Sequence, residues 1–143
     1  MKSSARNQFD GIVTFIREGA VNDEVELEID RGLSIVATIT SKARVHLGLK
    51  VGTKAFALVK ASSIILLTEV EDVRLSARNQ LAGQVASIKT GAINSEVLID
   101  LKNGSSKVVA VVTNDSAVHL GLQQGSSVTA IFKVSSVVLG VRT

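Results

Sequence analysis

The chain has 143 residues, 45% of them hydrophobic and 20% charged, with a formal net charge of +3 and no cysteine. That length allows one or two small domains with an ample apolar core, and the missing cysteines exclude disulfides and thiolate metal sites. The charge is too small to argue for a nucleic-acid partner, no apolar run approaches the roughly 18 residues of a membrane span, and MKSSARNQFD lacks a signal-peptide core, so a cytoplasmic protein without nucleic-acid or membrane partners is expected.

In chain order, the polar pentapeptide SARNQ (4–8) precedes a β-branched-rich run, Phe9–Ile16, expected to be a strand. The turn Gly19-Ala20-Val21-Asn22 leads into Glu24–Asp30, where acids and aliphatics alternate strictly, as in a half-buried strand. Leu33–Ile39 is the third strand. A short helix follows, with Thr40 or Ser41 able to cap its start and Gly48 able to close it. Lys54–Val59 and Ile64–Thr68 complete five strands, with Lys60-Ala61-Ser62-Ser63 between them. Proline is absent, so the turns rely on Gly, Asn, Asp and Ser.

The same order then recurs. SARNQFDG (4–11) matches SARNQLAG (76–83), an offset of 76 − 4 = 72, and GAVNDEV (19–25) matches GAINSEV (91–97) at the same offset. VHLGL (45–49 and 118–122) and KASSIIL/KVSSVVL (60–66 and 133–139) match at 73, which puts one added residue in the turn at Lys102–Ser105. The second-copy strands are Leu81–Ile88, Glu96–Leu101, Lys107–Val112, Ser127–Lys133 and Val137–Val141, with Thr113 or Asn114 capping the helix and Gly121 closing it. The chain therefore divides into domains 1–70 and 71–143, joined through the short stretch Glu69–Arg74. Units so closely joined should pack together, and units this small gain by burying surface against each other, within the chain or in an oligomer. The expected fold is all-β: two OB-like five-stranded antiparallel barrels in tandem, each with one short helix between strands 3 and 4.

Polar and glycine-containing stretches repeat as well as the core does, which favours repeated sites. Ser4, Arg6 and the amide of Ala5, with Ser76, Arg78 and the amide of Ala77, are hydrogen-bond donors, and the planar Arg fork suits oxyanions. The alternative is a solvated strand start with its Arg in a salt bridge. The turns Gly19-Ala20-Val21-Asn22 and Gly91-Ala92-Ile93-Asn94 read either as anion nests or as plain hairpin turns. Thr40, Thr113 and Ser116 begin the helices, where anion binding and capping explain them equally. Lys60 and Lys133 end apolar strands, just before Ala61 and Val134. The acids mostly sit elsewhere, on the exposed face of strand two. A set made of donors alone suits a tetrahedral dianion that carries no proton. Hydrogen phosphate would leave its own proton unpaired in a buried site, at about 1–3 kcal/mol. Molybdate, tungstate or sulfate are therefore expected ahead of phosphate.

Catalysis is not expected. His46 and His119 have no evident nucleophile or acid partner and read as structural or interface residues. Asp23-Glu24 becomes Ser95-Glu96 in the second copy, so no carboxylate pair repeats, and two His without clustered Cys or acids make no cation site. There is no G-x-x-x-x-G-K-[ST] loop and no helix-turn-helix, so neither a transporter ATPase nor a repressor is expected. The competing reading is an OB-type nucleic-acid-binding protein. Such surfaces stack bases on aromatics, whereas this chain has four Phe and no Tyr or Trp, and Phe9, Phe15, Phe56 and Phe132 all read as core.

The motifs SARN, G-A-[VI]-N-x-E-V, [IV]-T at the helix start, LGL after it and K-x-S-S resemble the Mop domain, and two tandem copies are similar to the di-Mop proteins of the molbindin group. The resemblance covers essentially the whole chain. It implies binding of molybdate or tungstate without chemistry on the anion and without an organic cofactor, for intracellular molybdenum storage and homeostasis. It also implies a homo-oligomer, a trimer of tandem chains, with sites between units. Interface sites would use Ser4, Ala5, Arg6, Thr40, Lys60 and Ala61, and Ser76, Ala77, Arg78, Thr113, Ser116, Lys133 and Val134. Sites near the threefold axis would use Gly19, Ala20, Val21 and Asn22, and Gly91, Ala92, Ile93 and Asn94. The residues of one site would come from different copies or chains. One departure stands out: Ala43 occupies the position of Ser116, which implies two subclasses of interface site with unequal affinity.

Overall fold

The computed structural model describes residues 1–102 and 105–143, so the turn expected to hold the added residue lies partly outside the described residues. The first copy supplies β1 (Asn7–Arg17), β2 (Asn22–Asp30), β3 (Leu33–Thr40), α1 (Ser41–Leu47), β4 (Lys54–Val59) and β5 (Ile65–Leu67). The second supplies β6 (Asn79–Thr90), β7 (Asn94–Leu101), β8 (Lys107–Thr113), α2 (Asn114–His119), β9 (Ser127–Phe132) and β10 (Val137–Gly140). All ten expected strands and both helices are present. Thr40 Oγ1 accepts from the Ala43 amide at 3.0 Å, and Gly48 closes α1 in the left-handed region at φ 66°. Thr113 does the same for α2 through the Ser116 amide at 3.1 Å, and Gly121 (φ 62°) follows its last turn.

The strands form two curled antiparallel sheets, ordered β10-β4-β1-β2-β3 and β5-β9-β6-β7-β8. The last strand of each copy is thus hydrogen-bonded into the sheet of the other. Val137 faces Val59 and Gly140 faces Phe56, while Ile65 faces Ile131 and Leu67 faces Thr129. The sequence repeat and the sheet are different units. One apolar cluster spans both, with Val13, Leu27 and Ile35 beside Leu81, Ile99, Val108 and Phe132. Each sheet has two edge strands: the exchanged strand at one side, β10 or β5, and β3 or β8 at the other.

Two repeated details shape the long first strand of each copy. A Cβ on Gly11 would run into the Glu28 carbonyl oxygen, and one on Gly83 into that of Asp100, so the closing glycine of SARNQ-x-x-G permits the close approach of β1 to β2 and of β6 to β7. The pairing register then slips between Val13 and Phe15, and between Val85 and Ser87. That bulge corrects one expectation. Phe9, Phe56 and Phe132 are buried, but the extra residue turns Phe15 outward to 44% exposure, where the Arg17 guanidinium lies 6.0 Å from its ring centroid.

Candidate functional site

The SARN asparagines join the copies. Asn7 Nδ2 donates to the carbonyls of Val109 (2.8 Å) and Val59 (3.2 Å), and its Oδ1 accepts from the Val109 amide at 2.8 Å. Asn79 does the same to β3: Nδ2 donates to the Val36 carbonyl and Oδ1 accepts from the Val36 amide, both at 2.8 Å. Both side chains are buried, and each replaces a neighbouring strand at one point along an otherwise open edge. The sequence reading missed this role. The available signal was an amide side chain at the same place in both copies, directly before an apolar strand.

Each arginine is thereby delivered to the other copy. Arg6 grips Glu96 with both terminal nitrogens, Nη1 to Oε2 at 2.8 Å and Nη2 to Oε1 at 2.5 Å. Arg78 is ion-paired with Glu24. Glu96 lies opposite Val111 of β8 and Glu24 opposite Thr38 of β3, so each pair sits beside an edge strand. The hydrogen bond from Arg6 is the main cause that holds the Glu96 carboxyl below its ordinary pKa, and the same bond raises that of Arg6. The acids of strand two are therefore not all remote from the donors: two of them hold the arginines.

Lys60 and Lys133 each precede a single 3-10 turn, Ala61–Ser63 and Val134–Ser136. The first turn packs on β8 and the second on β3. Each edge strand then runs into its helix. At the β8 end, Thr113, Ser116 and His119 of the second copy face Ile64, Ile65 and Leu66 of the first across a cleft of about 350 Å³. At the β3 end, Thr40 and Ala43 face Ser135, Val137, Val138 and Leu139 across a cleft of about 450 Å³. Thr113 and Ser116 hydroxyls are 2.8 Å apart.

The candidate residues thus sort across copies. Arg6 and Lys60 come to the edge that carries Thr113 and Ser116, and Arg78 and Lys133 come to the edge that carries Thr40 and Ala43. Ser4, Arg6, Ser76 and Arg78 are exposed and line neither cleft, so one chain does not enclose the whole donor set. Among the described residues, no carboxylate pairs with Lys60 or Lys133.

The G-A-[VI]-N turns are tied to the helices. In the first copy the Gly19 amide donates to Asp23 Oδ1 (3.0 Å), Ser41 Oγ donates to the same oxygen (2.7 Å), and Arg44 pairs with Oδ2. These three donors, the Gly19 amide foremost, hold the Asp23 carboxyl below its ordinary pKa. In the second copy the tie is neutral: Ser95 Oγ donates to Asn114 Oδ1 at 2.6 Å, and Asn114 Nδ2 donates to the Gly91 carbonyl at 3.0 Å. The Gly91 amide donates to the Asn94 carbonyl at 2.8 Å. Both glycine amides are spent within the chain, while Ala20, Val21 and Asn22, and Ala92, Ile93 and Asn94, are exposed. His46 and His119 are exposed too, and the described residues hold no group of three His, Cys, Asp or Glu able to bind a cation.

Residues 3–66 and 75–139 each match the family model described as the TOBE domain. This chain belongs to the TOBE domain family. It is 49% identical over 141 residues to the molybdenum transport protein ModE of Azotobacter vinelandii, which matches 99% of this chain and 52% of that protein. It is 43% identical over 141 residues to the molybdenum-pterin-binding protein MopA of Rhodobacter capsulatus, covering 99% of this chain and 53% of that one. The chain spans about half the length of these curated relatives. Among solved structures, it superimposes on the cytoplasmic molybdate-binding protein ModG, crystallised with molybdate bound, with a TM-score of 0.94 and 42% identity over 99% of this chain and 100% of that one. The two TOBE units also present aliphatic side chains to solvent at matching positions: Val21 and Ile93, Val45 and Val118, Ile65 and Val138, each at least 57% exposed. No described helix is long and apolar enough to cross a membrane.

Proposed function

We propose that this chain binds molybdate or tungstate at interfaces between its TOBE units in a homo-oligomer. It holds the oxyanion reversibly for storage and homeostasis within the cytoplasm, without chemistry on it and without an organic cofactor. The observation that supports this reading is that each SARN arginine is held across the boundary between copies, Arg6 on Glu96 and Arg78 on Glu24, beside the strand that runs into the other copy's helix. The interface sites are then assembled from Ser4, Arg6, Lys60, Thr113 and Ser116 at one edge and from Ser76, Arg78, Lys133 and Thr40 at the other, with the amides of Ala5, Ala61, Ala77 and Val134 beside them. Because neither set is enclosed by one chain, a neighbouring chain completes it. The paired exposed aliphatics support such an interface, since matched apolar positions on both units suit a symmetric assembly. A trimer of tandem units, 1–70 and 71–143, accounts for both, with the turns at Gly19–Asn22 and Gly91–Asn94 facing the threefold axis as the second class of site.

The test is thermal unfolding with native mass spectrometry of the full chain. Molybdate or tungstate should raise the unfolding temperature by mass action, phosphate should do so far less, and the loaded species should be a trimer. Replacing Arg6 and Arg78 together by Ala should abolish the shift. No shift with either anion, together with tight binding of a single-stranded oligonucleotide, would overturn the reading.

A further inference from the structure

The arginines offered to the anion are already occupied. Both terminal nitrogens of Arg6 face Glu96, and Arg78 is paired with Glu24 at the equivalent place. The two glutamates come from one motif position, two residues after Asn22 and Asn94. That position repeats although its neighbour does not, Asp23 being replaced by Ser95. A carboxylate and a tetrahedral oxyanion use the same bidentate edge of a guanidinium, two parallel N–H groups to two oxygens. On the terminal edge of Arg6, where Nη1 and Nη2 both face Glu96, the two compete for the same N–H groups.

We infer that Glu24 and Glu96 are internal competitors that set the oxyanion affinity of Arg78 and Arg6. This rests on the function proposed above. In the empty protein Glu96 closes the terminal fork of Arg6 and Glu24 holds Nη1 of Arg78, both across the boundary between copies. When the anion arrives, the arginine exchanges the carboxylate for two anion oxygens, and the released carboxylate then lies near a dianion of like sign. Both effects weaken binding and make release ready. A glutamate that merely orients its arginine would act with the opposite sign, because removing its charge would loosen the donor and weaken binding.

Calorimetric titration of the full chain with molybdate decides between them. Glu96→Gln should tighten the sites built on Arg6, Glu24→Gln those built on Arg78, and the double variant all of them, by roughly tenfold for one like charge removed at a few ångströms. Glu28→Gln is the charge-matched control. It lies on the exposed face of β2 with no ion-pair partner among the described residues, and it should leave the affinities nearly unchanged. A second measurement needs no variant: in the wild-type chain, the side-chain carboxyl 13C resonances of Glu24 and Glu96 should move on saturation with molybdate. Unchanged or weaker binding in the Gln variants, or static carboxyl resonances at saturation, would overturn the competitor role alone. A wild-type chain that takes up no molybdate would overturn the proposed function and this inference together.

Discussion

Asn7 and Val109, 102 residues apart, face each other as neighbouring strands do: the side-chain amide of one donates to and accepts from the backbone of the other at 2.8 Å. Asn79 repeats the arrangement on Val36, where both bonds are buried. Truncating Asn79 strands an amide and a carbonyl at once, and each buried orphan costs about 1–3 kcal/mol. Asn79→Ala should therefore lower stability by at least about 2 kcal/mol in urea unfolding, with an unchanged denaturant slope. A loss below about 0.5 kcal/mol would show that water replaces the amide and that the clamp is dispensable.

The exchange of β5 and β10 makes a second expectation concrete. A fragment of residues 1–70 would carry a last strand with no sheet to join and a β4 with no partner on its outer side. Cutting the chain within Glu69–Arg74 should give two fragments that co-purify when expressed together and regain the far-ultraviolet circular dichroism of the intact chain. Alone, neither should be a folded monomer. A folded, monomeric 1–70 fragment by sedimentation would mean that β5 can turn back onto its own copy.

Most of the fold was legible because two strong signals coincide. Alternation in Glu24–Asp30 and the turn residues mark strands one at a time, and exact recurrence at offsets of 72 and 73 says that whatever one copy does, the other does too. The exchange was not legible. Ile64–Thr68 reads as an apolar strand whichever copy it pairs with, because periodicity reports burial and not the identity of the partner. The outward turn of Phe15 was hidden for a similar reason: a bulge adds a residue without a composition signal. At the site, the residue types and their repetition singled out Arg, Lys, Thr and Ser as candidates. Pattern alone could not say that Arg6 meets Glu96, since that contact depends on which strand the Asn7 amide clamps.

The tie between Asp23, Ser41 and Arg44 should be acid-sensitive where its counterpart in the second copy is not. The Asp23 carboxyl is held below the ordinary value of about 3.9. The folded state then binds fewer protons than the unfolded one across that range. Its contribution is complete above the ordinary carboxylate value and is lost as pH falls through the depressed folded value. Asp23→Asn should be less stable than wild type at neutral pH, and the gap should close as the pH drops below that range. By NMR, the amides of residues 19–22 and 41–47 should broaden in acid before those of 91–94 and 114–119, where Ser95 and Asn114 do not titrate. A gap in unfolding temperature that stays constant with pH would contradict this.

The two sheet edges differ at one hydroxyl, and binding should register it. Ser116 lies within hydrogen-bond reach of Thr113 at 2.8 Å, whereas Ala43 offers no hydroxyl at the same place beside Thr40. One donor to an anion contributes roughly 0.5–1.5 kcal/mol net, and somewhat more when the partner is charged. Under the proposed function, molybdate should titrate the interface sites of the wild-type chain in two subclasses, the tighter one requiring Ser116. Ala43→Ser should raise the weaker class by about two- to tenfold and merge the isotherm toward a single class, and Ser116→Ala should merge it from the other side. Because both changes are one atom at an exposed helix start, unfolding temperatures without anion should barely move, which separates binding from folding. A single uniform affinity across the interface sites of the wild-type chain would mean that water supplies the missing donor beside Ala43, and that the two edges bind alike.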